Sequence, residues 1–207
     1  EFTTLHSRDL SAYNVIILAN GSPTEPLSPV ALPKLKEWVE NGGTLITTGS
    51  AYKLTNKAKI TDFKTLSQGK KKEKVEGNAH IEYQPYHNTE KARAGIDGVI
   101  FNCHLDITSP LGYGYENPNV AIMKNGTTVM DFSQIKGSSP MQYTKQPYLS
   151  GCVSLENIKR ISNAPASIVS ECGKGNVIWF ADDLNYRSYW FGGTKIFMNA
   201  IYFGQLY

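Results

Sequence analysis

Residues 13–54 read as one strand–helix–strand unit, and that unit restricts the possible folds more than any other stretch of the chain. Val15-Ile16-Ile17-Leu18-Ala19 is a continuous, mostly β-branched run, as expected of a strand covered on both faces. Asn20-Gly21-Ser22-Pro23 breaks it. The next segment predicts a helix with Ser28 as N-cap and Pro29 at its first position, where the missing amide costs no hydrogen bond. Leu32, Leu35, Trp38 and Val39 recur at spacings of three and four and form one apolar stripe. Gly42-Gly43 ends the helix. Thr44–Thr48 is a second strand, and Gly49-Ser50 turns into a short helix through Leu54. Two parallel strands joined by a right-handed helical crossover are the simplest fold of this pattern.

Beyond this unit the signals weaken and then return. Residues 57–93 are polar, lysine-rich and weakly periodic, and read as an insertion or irregular surface segment. A strand is expected over Gly98–Cys103, leading to His104-Leu105-Asp106. A glycine- and tyrosine-rich loop follows at 109–115. Val120–Met123 and Thr127–Phe132 flank Lys124-Asn125-Gly126, the strongest hairpin signal in the chain. The last third predicts a short helix over Ser154–Ile161 and strands at Ala166–Val169 and Asn176–Ala181, joined by Gly173-Lys174-Gly175. A final helix is expected from Gly193 to Phe203. The whole pattern predicts a single α/β domain over 1–207, with three layers: a mostly parallel sheet flanked by helices. Ligands of such folds sit beyond the carboxyl ends of the strands. That expectation places Asn20–Ser22, Gly49–Ala51, His104–Asp106 and Asp182–Asn185 along one edge.

Composition removes several classes of function. A net charge of +3 is too small to call for a nucleic-acid or membrane partner. No apolar run approaches the roughly 18 residues of a membrane helix. Cys103, Cys152 and Cys172 are too few and too scattered for a disulfide scaffold or a cysteine zinc site, although one disulfide with a leftover thiol stays open. The sequons at Asn20 and Asn125 both contain Asn-Gly and read first as turns. The start, Glu1-Phe2-Thr3-Thr4, resembles a cut through a longer protein.

Candidate chemistry gathers at the expected strand ends. Ser50 lies where a nucleophile elbow belongs, but Thr48 and Tyr52 replace the two flanking glycines of that motif. A serine nucleophile needs a base, and His104 is the candidate. We read the two as a turn serine and a hydrogen-bonded loop histidine, with a Ser50–His104 hydrolase as the rival. His87-Asn88-Thr89-Glu90 has the spacing of two zinc ligands but lacks a preceding buried strand, so no metal site is assigned. Asp182, Asp183 and Arg187 form the densest charged cluster at a strand end, read as a structural network or, alternatively, as a binding site. Tyr113, Tyr115 and Trp190 either pack their loops or line a shallow pocket for a small molecule or glycan.

Several stretches carry a family resemblance. They are Tyr13–Leu18, Leu35–Ile46, Ser109–Gly114, Tyr148–Gly151 with Leu155–Ile158, and above all Gly175–Arg187 followed by Tyr189–Gly192 and Phe197–Ala200. Together they resemble the class I glutamine amidotransferase-like, flavodoxin-like domain at the C-terminus of certain bacterial M14-type zinc carboxypeptidases. The resemblance covers nearly all of the chain outside 57–93. It implies an accessory domain whose partner is an upstream peptidase domain of the same chain. Zinc would belong to that domain and no cofactor to this one, and the protein would be exported to the periplasm or medium. Three departures stand out. No cysteine occupies the elbow, the C-terminal part supplies no histidine base, and Ser109 stands where the family often has histidine. The resemblance also implies a central strand and a helix before Tyr13. Either the sheet is modified without them, or the strand comes from elsewhere.

Overall fold

The computed structural model describes residues 8–21, 30–66, 94–131, 133, 137–188 and 190–207. Its first sheet grows from the strand–helix–strand unit. β1 (Val15–Leu18) pairs in parallel with β2 (Thr44–Thr48), joined through the crossover helix α1 (Ala31–Glu40). Leu35, Trp38 and Val39 bury the expected stripe of α1, and the helix ends where Gly42 takes a φ of 119°. Ser28 and Pro29 lie outside the described residues. Helix α2 (Tyr52–Lys57) follows the turn after β2.

β2 pairs in parallel with β7 (Gly175–Phe180), which forms a tight antiparallel hairpin with β6 (Ser167–Cys172). The order β1-β2-β7-β6 is thus a mixed α/β arrangement with a parallel-dominated sheet. β1 joins β2 directly, with no strand between them. All five residues of β2 and all six of β7 are buried, as their continuous apolar runs require.

The second sheet departs from expectation. β3 (Val99–Leu105) does not extend the parallel sheet. It lies between β4 (Asn119–Lys124) and β5 (Met141–Ser150) in a separate antiparallel sheet of order β4-β3-β5. His104–Asp106 therefore do not share the carboxyl edge of the parallel strands. Among the described residues the hairpin expected around Asn125-Gly126 does not form either. Gly126 donates its amide to the Ile96 carbonyl and Asn125 accepts from the Gly98 amide, so this turn ties back to the approach to β3. Residues 128–131 turn instead to Thr65, which bridges Met130. Part of the supposed insertion is core: Ala58, Ile60 and Phe63 are buried, and the Phe63 ring meets Trp179 edge-on at 6.4 Å. The Asn56 side chain holds this loop, bonding both the amide and the carbonyl of Phe63. The remainder, 67–93, lies outside the described residues.

Helix α3 (Leu155–Ile161) is capped by Ser154, whose hydroxyl accepts from the Asn157 amide at 3.2 Å. Helix α4 (Phe191–Phe203) buries Ile196 and Ala200. Two apolar clusters result. The smaller joins α1 and α2 to Leu45 and Val177 of the parallel sheet. The larger joins the second sheet and α4 to Ile46, Ile178, Trp179 and Phe180. All three cysteines are free. Among the described residues no helix is long and apolar enough to cross a membrane.

Two substitutions test this packing in opposite directions. A Cβ at Gly175 would run into the backbone carbonyls of Val39 and Gly43, neither of which can swing aside. Gly175→Ala is expected to lower stability by about 1–3 kcal/mol, read as a lower urea midpoint at constant m-value. Thr47 Oγ1 is buried in β2 and meets no hydrogen-bond partner among the described residues, so its hydroxyl is desolvated without return. Thr47→Val keeps the shape and the β-branch, and is expected to raise the same midpoint, by about 1 kcal/mol.

Candidate functional site

The carboxyl ends of β1, β2 and β7 supply three groups: Asn20, Gly49-Ser50 and Asp182. The first two form one device. Asn20 Oδ1 accepts from both the amide and the hydroxyl of Ser50, each at 3.0 Å. The left-handed residue of the turn is Gly49, with φ 51°, while Ser50 has no positive φ and belongs to the short 3-10 turn that follows. A nucleophile elbow displays its nucleophile on the strained residue itself. Here that residue has no side chain, and a Cβ built on it would meet Asn20 Cγ and Oδ1 at 2.5 Å. The carboxamide thus fills the space a nucleophile would use. Trp179 Nε1 donates to the Gly49 carbonyl at 2.9 Å and fixes the turn from below.

Asp182 has partners that sequence reasoning missed. It is buried, and its carboxylate pairs with Lys124 Nζ at 3.0 Å; Lys124, at the end of β4, has no exposed surface. The Tyr143 hydroxyl, from β5, donates to Asp182 Oδ2, and Lys124 Nζ also lies 3.4 Å from that hydroxyl. Burial pushes the Asp182 carboxyl above its ordinary value, while the Lys124 ammonium, the Tyr143 hydroxyl and the Asn125 amide pull it back. Tyr143 is held far above the usual phenol range by burial, with the Asp182 charge adding to it. Cys103, buried on β3, is raised in the same way by burial and by Asp182, against a smaller opposing pull from Lys124. A signal for Lys124 did exist: a lone lysine directly after the apolar run Val120–Met123, in a stretch with no other charge.

The other candidates separate. Asp183 is partly exposed and accepts from the Asn185 amide at 3.3 Å. Arg187 is exposed, adopts a φ of 52° and stacks its guanidinium over Tyr186 at 5.2 Å. Among the described residues no ion pair links Arg187 to either aspartate. His104 is exposed on β3, in register with Asn119 and Gln142, in a different sheet from Ser50. Asp106 is held below the usual carboxylate range by the hydroxyl and amide of Thr108. His87 and Glu90 lie outside the described residues, among which no three His, Cys, Asp or Glu side chains gather to hold a metal ion.

Tyr113, Tyr115 and Trp190 do converge, around α4. Asn199 Nδ2 donates to the carbonyls of Leu111 and Tyr113, each at 2.9 Å. Trp190 Nε1 donates to Ala121 O at 3.0 Å, and Tyr113 stacks edge-on against Phe203 at 5.5 Å. Lys195 donates to the Gly114 carbonyl while its ammonium lies over Tyr115 at 4.9 Å. The Trp190 indole N–H, and at 3.5 Å the Tyr115 hydroxyl, which donates to the Gly192 carbonyl, are thus bonded to the protein itself. Two clefts among the described residues lie elsewhere: one of about 490 Å³, lined by Asp9, Lys34, Glu37, Trp38 and Gly43 at the amino ends of β1 and β2, and one of about 460 Å³ between Gly137-Ser138, Val169–Glu171 and Tyr207.

No protein-family model matches the chain, and no curated protein matches it significantly. Solved structures do. A cytoplasmic protein from Salmonella typhimurium superposes with a TM-score of 0.56 at 14% identity, over 98% of this chain and 78% of that one. A putative ThuA-like protein from Bacteroides uniformis gives a TM-score of 0.55 at 10% identity, over 97% and 72%. At such identities the likeness concerns the fold, and it agrees with a class I amidotransferase-like, flavodoxin-like architecture.

The buried charge cluster makes a sharp prediction. Lys124→Met strands the Asp182 charge and is expected to cost about 3–5 kcal/mol in urea unfolding. Replacing all three groups, as Lys124→Met with Asp182→Leu and Tyr143→Phe, is expected to recover most of that loss. In Lys124→Met, Asp182 loses its main charge-stabilising partner and its folded pKa rises further above the unfolded value. The folded state then binds the proton first, so stability falls as pH rises through that window. The deficit of the variant is therefore expected to shrink as pH is lowered from neutrality toward the ordinary carboxylate range. A deficit independent of pH would contradict the charge account.

Proposed function

We propose that this chain is a non-catalytic domain of the three-layer, class I glutamine amidotransferase-like type, serving as an accessory to a larger enzyme. The observation that carries the reading is the elbow. Its strained position is Gly49, and the Asn20 carboxamide stands where a nucleophilic side chain would project. Ser50 spends its hydroxyl proton on Asn20 Oδ1. Asp182, the carboxylate at the neighbouring strand end, is sealed with Lys124 and Tyr143. Neither group is offered to a substrate.

The parent we propose is an exported M14-type zinc carboxypeptidase, on the strength of the sequence resemblance centred on Gly175–Arg187. The upstream peptidase domain would hold the zinc and do the chemistry. This domain would contribute stability, docking or substrate presentation. Comparing the longer protein with and without residues 1–207 tests this: hydrolysis of C-terminal residues from peptides should survive removal in kcat, with losses confined to KM or thermal stability.

The rival is a hydrolase working through Ser50. Residues 1–207 are expected to show no ester or amide turnover above buffer and no adduct at Ser50 with a fluorophosphonate probe. An adduct at Ser50 that Ser50→Ala abolishes, together with measurable turnover, would overturn the non-catalytic reading.

A further inference from the structure

The chain contains three Asn-Gly steps, Asn20-Gly21, Asn41-Gly42 and Asn125-Gly126. Such a step can react with itself, because glycine lacks the Cβ that would keep its nitrogen away from the asparagine carboxamide. The fold treats the three differently. The Gly42 amide donates to the Val39 carbonyl at 2.9 Å in the turn that ends α1. The Gly126 amide donates to the Ile96 carbonyl at 2.7 Å, while Asn125 Oδ1 accepts from the Gly98 amide, also at 2.7 Å. The Gly21 amide has no hydrogen-bond partner among the described residues, and a Cβ built on Gly21 would meet nothing within 4 Å. Asn20 is exposed, and its Nδ2 is likewise unbonded among the described residues. Its Oδ1 takes both Ser50 donors, the amide and the hydroxyl, at 3.0 Å each.

We propose that Asn20 is a self-modification site, at which the Gly21 nitrogen displaces the side-chain amide as ammonia and Ser50 polarises the carbonyl under attack. Hydroxide removes the Gly21 amide proton, and the nitrogen adds to Asn20 Cγ. The new bond pushes the carbonyl electron pair onto Oδ1. There the Ser50 amide and hydroxyl already stand as two donors, the arrangement that stabilises a developing oxyanion. When the carbonyl re-forms, the Cγ–Nδ2 bond breaks. The side-chain nitrogen leaves as ammonia with a proton from water, which restores the hydroxide. A water molecule then opens the five-membered imide at either carbonyl, giving aspartate or isoaspartate at position 20. The balance is one water in and one ammonia out. At Asn41 and Asn125 the attacking nitrogen is instead tied to a carbonyl, and must break that bond before it can turn on the side chain. Aspartate at position 20 keeps an acceptor for Ser50 and adds a charge. Isoaspartate inserts an extra carbon into the main chain, at the residue whose carboxamide fills the elbow. The reaction needs only this chain and water, so it stands apart from the accessory role.

Incubating the folded chain at physiological temperature and mildly alkaline pH, followed by tryptic mapping, tests this. Residue 20, in peptide 9–34, is expected to convert well before residue 41, in peptide 37–53, or residue 125, in peptide 125–136. The product shows the mass gain of an amide becoming an acid, is labelled in part by an isoaspartyl methyltransferase, and forms faster as pH rises. In guanidinium chloride the three steps should react at similar rates, with Asn20 no faster than in the folded chain. Ser50→Ala removes one of the two donors and should slow Asn20 by about three- to tenfold, the worth of one hydrogen bond at an exposed site. Ser50→Thr keeps the hydroxyl and should keep the rate, and both variants should unfold close to the wild-type urea midpoint. A folded chain in which Asn41 or Asn125 reacts as fast as Asn20 would overturn the proposal. So would an Asn20 that reacts faster once unfolded, which would mean that Ser50 only pins the side chain, or a Ser50→Ala rate equal to the wild type or above it.

Discussion

The pairing of Lys124 with Asp182 is the constraint around which the two sheets are arranged. Asp182 leaves the central parallel strand β7, while Lys124 and Tyr143 come from the outer strands of the antiparallel sheet. Apolar contact between sheets tolerates sliding, because dispersion has little directionality. A buried ammonium and carboxylate do not. Each must meet the other within hydrogen-bond distance or leave a charge stranded at a cost of several kcal/mol. One pair at 3.0 Å, with a phenol hydroxyl on the second carboxylate oxygen, therefore fixes the register of three strands at once. The cluster specifies the docking more than it stabilises it, since an apolar trio of similar volume could fill the same space.

At the same carboxyl edge the polar groups turn toward one another. Side chains at strand ends of an α/β sheet become a site when their polar atoms face a cavity. Here they face one another. Asn20 holds the Ser50 amide and hydroxyl, Trp179 holds the Gly49 carbonyl, and Asp182 lies inside the protein. The glycine at the left-handed position is required by the turn, and the asparagine has moved into the volume the glycine leaves.

The strand–helix–strand unit was legible because its signals are local: a β-branched run, an amphipathic stripe and a Gly-Gly stop each follow from residues close in sequence, although β1 proves to be an edge strand with Ile17 exposed and not a strand covered on both faces. The β6–β7 hairpin was legible for the same reason. β5 was not, because Gln142, Lys145, Gln146 and Pro147 break any simple alternation, and the strand accommodates them through register shifts against β3. The Asn-Gly turn at 125–126 misled because a turn signal names a bend and not the strand that follows it. Here hydrogen bonds to Ile96 and Gly98 drew the chain elsewhere. The cluster at 182–187 looked self-contained for a related reason. Charges adjacent in sequence suggest a pair, yet Asp182 finds its partner 58 residues upstream, and Arg187 settles over Tyr186.

Beside this closed edge the second sheet meets the parallel one. Helix α4 sits at the meeting point. Its inner face packs on Ile178 and Phe180 of the central strand, and its Asn199 ties down the loop that carries Tyr113. Lys195 ties down the same loop through Gly114, with its ammonium over the Tyr115 ring. A surface lysine ordinarily extends into water, where its ammonium is best solvated. Folding it back over a tyrosine costs side-chain entropy and hydration, which the carbonyl bond and the ring contact offset in part. The result is a helix held from both sides, by the core beneath it and by the loop that its own lysine and asparagine secure.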